Sequence, residues 1–214
     1  MQIDCLADVS LSDTQRAELA AYRYAVFVGH LGWELPCPQG YDQDQFDIAD
    51  AVHLAARSDE GRIVGYARLL PTTGSYLLAD LFPELLGNQP APCHAEVWEL
   101  SRYAARDTEG PSDAAAELLI GKQVLAQAVR TAALHGAQRL VFCTTVAIER
   151  LAKRWGVDIH RVAAPQRING QLLVAAVIEC NAHTLGALDA ALDARPEARA
   201  AIELGALQVA VQGC

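Results

Sequence analysis

Apolar positions along this chain follow two periods, and each change of period predicts a change of element. Met1–Ala7 predicts a short first strand. Ser12, with Gln15 three residues on, forms the reciprocal cap that opens a helix, and Leu19, Tyr22, Arg23, Val26 and Phe27 follow at helical spacing. Ala51–Arg57 and Arg62–Leu70, joined across Ser58-Asp59-Glu60-Gly61, predict an antiparallel pair. Leu78–Leu86 predicts a short helix interrupted by Pro83, and Val97–Ala105 (VWELSRYAA) another strand. Pro111-Ser112-Asp113 opens a long alanine-rich helix ending near His135-Gly136. Leu140–Val146 is a continuous apolar run with threonines, the pattern of a buried strand. Ala147–Trp155 is amphipathic and closes on Gly156. Val157–Ala163 and Gln171–Cys180 predict two more strands hinged at Asn169-Gly170, and the chain beyond Thr184 reads helical, with Pro196 near one helix start.

This order predicts an α/β fold, a three-layer sandwich around a mixed, partly antiparallel sheet. It lacks the regular βα alternation of a Rossmann domain, and neither G-x-G-x-x-G nor a P-loop occurs. The 214 residues suit one domain, and 52% hydrophobic against 20% charged residues supplies a sizeable core. A net charge of −9 without any Lys/Arg-rich block points away from nucleic acid. The longest apolar run, Leu172–Ile178, is too short to span a bilayer, and MQIDCLADVS lacks the basic and apolar regions of a signal peptide. A cytoplasmic protein is expected. The six cysteines form no C-x-x-C pair and the histidines no metal-ligand spacing, so no metal site is expected and the thiols read as reduced.

Several polar residues stand where that pattern wants apolar ones. Glu99, Ser101 and Arg102 lie inside the VWELSRYAA strand, where unpaired charge is costly. Arg68 shares a strand face with Val64, Tyr66 and Leu70. Arg23 shares a helical face with Leu19 and Phe27, which reads as an arginine snorkelling to solvent. The irregular stretch Cys37–Asp50 carries Asp42, Asp44, Asp47 and Asp50 around Phe46, and reads as a solvated acidic loop with Asx turns. A calcium loop competes, but the central Gly and terminal Glu of an EF-hand are missing. In a regular strand Glu99 and Arg102 point to opposite faces, so a shared pocket requires a bulge or splay near Leu100-Ser101. Splayed strands would also open a slot.

YRYAVFVGHLGWELP, DQFD, GYARLLPTT with YLLADLF, and VWELSRYA together closely resemble the LuxI-type acyl-homoserine-lactone synthases of bacterial quorum sensing. The likeness runs from about Tyr22 to Arg106 and continues more weakly through Thr144–Gly156 to Pro165. The resemblance implies the fold of the GCN5-related N-acetyltransferases. It also implies an acyltransferase that joins an acyl chain, from acyl-carrier protein or coenzyme A, to S-adenosyl-L-methionine as substrate, with no permanently bound cofactor. The amine attacks the thioester, and the carboxylate then displaces methylthioadenosine to close the lactone. Residues 1–110 would form the S-adenosylmethionine-binding and catalytic half, and residues 111–214 the acyl-chain and carrier-docking half.

Carried onto this chain, the family pattern implies a site of Arg23, Phe27, Trp33, Asp44, Asp47, Arg68, Phe82, Glu99 and Arg102, with Ser101 beside them. Asp44 and Asp47 would hold the donor ammonium and order the loop, with Glu99 as the base acting through water. Phe27, Trp33 and Phe82 would enclose the sulfonium and adenine, Arg102 and Arg68 the carboxylate, and Arg23 would close the acidic loop. Leu100, Phe142, Thr144, Thr145, Val146, Ile148, Leu151 and Trp155 are candidate acyl-pocket walls. In the family a threonine at about Thr144 or Thr145 accompanies tolerance of a 3-oxo group, and two adjacent threonines leave that open. Arg150, Lys153 and Arg154, with Arg139, Arg161 and Arg167, form a candidate dock for an acidic carrier. Tyr103–Pro111 lacks the Q/R-x-x-G-x-G/A turn of acetyl-coenzyme A enzymes, which favours a carrier donor over an ordinary acetyltransferase. A non-catalytic ligand-binding module of the same fold is the other alternative, and the oligomeric state stays open.

Overall fold

Ser12 Oγ accepts the backbone N–H of Gln15 at 3.2 Å while Gln15 Oε1 accepts that of Ser12 at 3.0 Å, so α1 (Asp13–Arg23) opens on the predicted reciprocal cap. The computed structural model describes residues 1–111 and 113–193. Pro196 lies outside them, as does Ser112 of the predicted helix opening. Beyond α1 the backbone widens into a π-helical stretch, Tyr24–His30, in which Leu31 N donates to Val26 O at 2.9 Å. The sequence pattern gives no sign of this change of pitch, and it moves Phe27 off a regular helical face.

The strands are β1 (Gln2–Ala7), β2 (Val52–Arg57), β3 (Ile63–Pro71), β4 (Val97–Ala105), β5 (Arg139–Thr145), β6 (Ile159–Arg161), β7 (Gln166–Ile168) and β8 (Gln171–Glu179). Among the described residues they form one sheet in the order β1-β2-β3-β4-β5-β8-β6, with β7 also on β8. The strand expected over Val157–Ala163 is shorter, and β7 follows it along the same edge of β8. Pro165, with no N–H for a ladder, lies in the break between them. Asn169 (φ 47°) and Gly170 (φ 81°) therefore join β7, rather than β6, to β8, in the two-residue left-handed turn that suits a hairpin.

The helices α2 (Leu77–Leu81), α3 (Ala114–Leu134), α4 (Val146–Arg154) and α5 (Ala182–Asp193) complete the fold. Asp113 caps α3, its side chain accepting the N–H groups of Ala115 and Ala116. α3, α4 and α5 cover one sheet face through a core that includes Leu54, Leu69, Leu100, Val124, Phe142 and Ile178. α1, α2 and the loop before β2 cover the other, through separate clusters around Phe46 and Phe27. The result is the predicted three-layer α/β sandwich. Helix and sheet approach closely at Gly65, where a Cβ would stand 2.7 Å from Ile120 Cγ2.

β4 and β5 run parallel, unlike the other adjacent pairs, and they pair only over Val97–Glu99 and Arg139–Val141. Beyond those residues they part, and the sheet is open in its middle. No helix among the described residues is long and apolar enough to cross a membrane.

Candidate active site

The site begins with an extra residue in β4. Tyr66 pairs with Ala104 and Arg68 with Ser101, so two steps along β3 face three along β4. Arg102 takes up the excess with φ 52°, a left-handed conformation that costs a non-glycine residue about 1–2 kcal/mol. The bulge falls one residue beyond the predicted Leu100-Ser101, and it brings Arg102 round to the acidic loop on the face that Glu99 and Ser101 share.

Arg102 there joins Arg23 from α1 and Arg68 from β3, and the loop before β2 folds three aspartates onto them. Arg23 Nε and Nη2 donate to Asp42 at 3.2 Å each, and its Nη1 donates to Asp47 at 2.7 Å. Arg68 Nη1 reaches Asp44 at 2.6 Å and Asp47 at 2.7 Å, while its Nε donates to Ser101 Oγ at 3.1 Å. Arg102 Nε donates to Asp42 at 3.0 Å, and its Nη2 lies 3.0 Å from Asp44. Arg23, Arg68 and Asp42 are 2%, 0% and 1% exposed, so each charge depends on its partners to offset lost hydration. Burial alone would raise Asp47, but Arg23 and Arg68 hold it well below the usual carboxylate range. Asp44, also desolvated, is lowered by Arg68 and Arg102.

Two expectations are corrected here. Arg23 does not snorkel; it is buried because three carboxylates come to it. The loop is likewise not solvated along its length. Asp42, absent from the predicted set, is the bridge between Arg23 and Arg102, and only Asp50 of the four aspartates is exposed. One expected Asx turn is present, Asp44 accepting from Phe46 N at 2.9 Å, and Asp47 reaches back to accept Asp44 N at 2.9 Å.

Phe27 and Trp33 stack with centroids 4.7 Å apart, and the Arg102 guanidinium lies 5.5 and 5.6 Å from their rings. Phe82 does not join them; it packs in the separate cluster with Phe46, Tyr76 and Leu85, and Phe46 faces Arg68 at 5.8 Å. Glu99 is fully buried, and its carboxylate accepts Leu77 N at 3.0 Å and Leu78 N at 2.6 Å. It thus caps α2, whose own N-cap, Tyr76, supplies no side-chain bond. Burial pushes Glu99 up to about 7, against the downward pull of those N–H groups and Arg68. Behind the cluster, buried His53 bridges Tyr66 Oη at 2.6 Å and Asp8 at 3.1 Å, with the Tyr66 ring against Arg23. Nothing in the spacing of these residues marks them.

Where β4 and β5 part, a cavity of about 130 Å³ runs from Phe27, Trp33 and Arg102 through the sheet to α3, α4 and β8. Leu100, Phe142, Thr144, Ile148, Leu151 and Trp155 of the predicted wall line it, whereas Thr145 and Val146 do not. Thr145 Oγ instead accepts Ile148 N as the cap of α4, and Val146 begins that helix. Strand alternation separates the two threonines, leaving Thr144 alone at the cavity. Tyr103, Leu125, Gln171 and Ile178 also line it. Leu125, Gln171 and Ile178 lie far from the motifs of the family likeness, while Tyr103 lies within VWELSRYA and its aromatic ring was the signal there. Of the candidate docking cations, Lys153 and Arg161 are held by buried Glu149 at 2.6 and 2.9 Å, and Arg167 by Gly170 O, while Arg139 and Arg150 are exposed. No cluster among the described residues could hold a metal.

The profile of the autoinducer synthase family matches residues 8–188. An acyl-homoserine-lactone synthase of Ralstonia solanacearum is 46% identical over 175 residues, covering 80% of this chain and 85% of that protein. One of Acinetobacter nosocomialis is 39% identical over 173 residues, covering 79% and 94%. The crystal structure of TofI in a ternary complex with an inhibitor and MTA superposes with a TM-score of 0.78 at 42% identity, covering 88% and 97%. An acyl-CoA N-acyltransferase from Pseudomonas aeruginosa, at 18% identity and a TM-score of 0.56, shares the fold alone.

Proposed function

Because this chain belongs to the autoinducer synthase family and is an acyl-homoserine-lactone synthase, an acyltransferase, we propose that it acylates S-adenosyl-L-methionine from acyl-carrier protein, in the cytoplasm. The observation that carries this reading is the union of two unlike spaces through one gap. On one face lies a closed cluster of three arginines and three aspartates; behind the parted strands lies an apolar cavity. A zwitterion suits the first, because its ammonium and carboxylate can replace an internal ion pair without changing net charge. An acyl chain suits the second. The MTA bound by TofI, read as methylthioadenosine, is the fragment such a reaction leaves behind.

In the proposed sequence the methionine nitrogen attacks the thioester carbonyl, forming C–N and breaking C–S. One ammonium proton goes to the departing thiolate; the other passes through water to Glu99 and then to solvent. Asp44 and Asp47 take the ammonium, while Arg68 and Arg102 take the carboxylate. That carboxylate then attacks the γ-carbon and expels methylthioadenosine. Phe27 and Trp33 face the sulfonium, and with Phe82 in another cluster the aromatic contact rests on those two rings. Absence of a phosphate-cradling turn after β4 supports a carrier-protein donor. Exposed Arg150 and Arg139, with the net positive charge that Lys153 and Arg161 keep around the single Glu149 carboxylate, are its proposed dock.

The test supplies purified protein with S-adenosylmethionine and a series of acyl-carrier and acyl-coenzyme A thioesters. Equimolar lactone and methylthioadenosine are expected, with acyl-carrier donors preferred and a fall of about 10²–10⁴-fold in Glu99→Ala. Folded protein that yields no lactone from any donor overturns the reading.

A further inference from the structure

On the helical side of the sheet, one large side chain stands out in the cavity lining. From Phe27, Trp33 and Arg102 the cavity passes between β4 and β5 and ends against the helices of the opposite face. The largest side chain there is Trp155, the C-cap of α4. We propose that Trp155 sets the upper limit of acyl-chain length, as a fixed stop at the end of the channel. This rests on the synthase reading above and adds to it the residue that selects among acyl thioesters.

Three observations hold the indole in place. Trp155 N donates to Leu151 O at 3.1 Å, and the next residue, Gly156, turns the chain at φ 82°. A Cβ at Gly156 would lie 3.1 Å from Ala187 Cβ, so α5 backs the turn closely and the Trp155 backbone has no room to retreat. The ring is also covered by the Lys122 ammonium from α3, 5.4 Å from its centroid. Its Nε1 is buried with no hydrogen-bond partner, so packing and the Lys122 contact, rather than a hydrogen bond, retain the side chain. Truncation consequently strands no acceptor, and a graded series of substitutions is compatible with folding.

A rigid apolar stop discriminates steeply, because one methylene too many or too few in such a pocket is worth about 10–200-fold in kcat/KM. The experiment measures lactone formation by the wild type, Trp155→Phe, Trp155→Leu and Trp155→Ala with saturated acyl thioesters of increasing length. Comparing lengths within each protein cancels any general loss of activity. The preferred length should rise in the order Trp, Phe, Leu, Ala, with kcat/KM for the next longer donor gaining about tenfold or more over the wild-type optimum. An unchanged optimum in both Trp155→Leu and Trp155→Phe overturns the assignment, even if Trp155→Ala fails to fold. A wild type inactive with every donor overturns the synthase reading instead, and this inference with it.

Discussion

A carboxylate held at about 7 inside a protein leaves two separable signatures, and Glu99 should show both. Folded, it binds its proton more tightly than when unfolded, so stability falls as pH rises from about 4.5 to about 7 and then levels, by about 3 kcal/mol in all. Chemical denaturation across that window should show the slope in the wild type and lose it in Glu99→Gln. Activity runs the other way, rising through about pH 7 as the base becomes available. Asp42 carries a different kind of burden. With two buried guanidiniums on one carboxylate, Asp42→Ala should cost about 3–5 kcal/mol, read by urea unfolding, and should weaken S-adenosylmethionine binding. The sequence showed Arg23, Arg68, Glu99 and Arg102 to be out of place because each interrupts an apolar pattern. It could not show Asp42, whose loop has no period against which a buried acid would stand out.

Among the elements, β4 was readable as a strand, and its bulge followed from requiring Glu99 and Arg102 to share a face. The bulge makes its own prediction. Arg102→Ala loses the ion pairs and keeps a left-handed backbone, whereas Arg102→Gly loses the same pairs and is at ease there. The glycine variant should be the more stable by about 1–2 kcal/mol in thermal or urea unfolding. Helix α3 was likewise plain from its composition, but the consequence of Gly121 within it was not. Its carbonyl receives the Tyr103 hydroxyl at 2.7 Å, and a Cβ there would stand 2.9 Å from that oxygen. Gly121→Ala should displace Tyr103 at the cavity wall, cost about 1–3 kcal/mol and shorten the preferred acyl donor. The π-helical stretch escaped the sequence because it depends on what packs against the segment rather than on its own periodicity. The divided edge of β8 was instead marked in the sequence by Pro165, which cannot donate to a ladder.

For the whole molecule, a net charge of −9 would repel the proposed acidic carrier, so its docking would rest on local basic groups such as Arg150. Arg150→Glu should lower kcat/KM for acyl-carrier donors several-fold and flatten its fall with added salt, while leaving kcat/KM for acyl-coenzyme A unchanged. The fold class was within reach of the sequence, since element order alone dictated three layers. What element order could not give was where the sheet stops being continuous. Beyond Glu99 and Val141 the two halves of the sheet share no ladder, so it resembles a rope ladder with its middle rungs cut away. Those amides of Leu100–Tyr103 and Phe142–Thr144 that face the gap, rather than β3 or β8, should therefore take up deuterium sooner than their burial suggests. They should slow sharply when the proposed acyl donor is bound, because its chain would lie in the break. The molecule being processed would then supply, for the duration of one turnover, the rungs that the sheet leaves out.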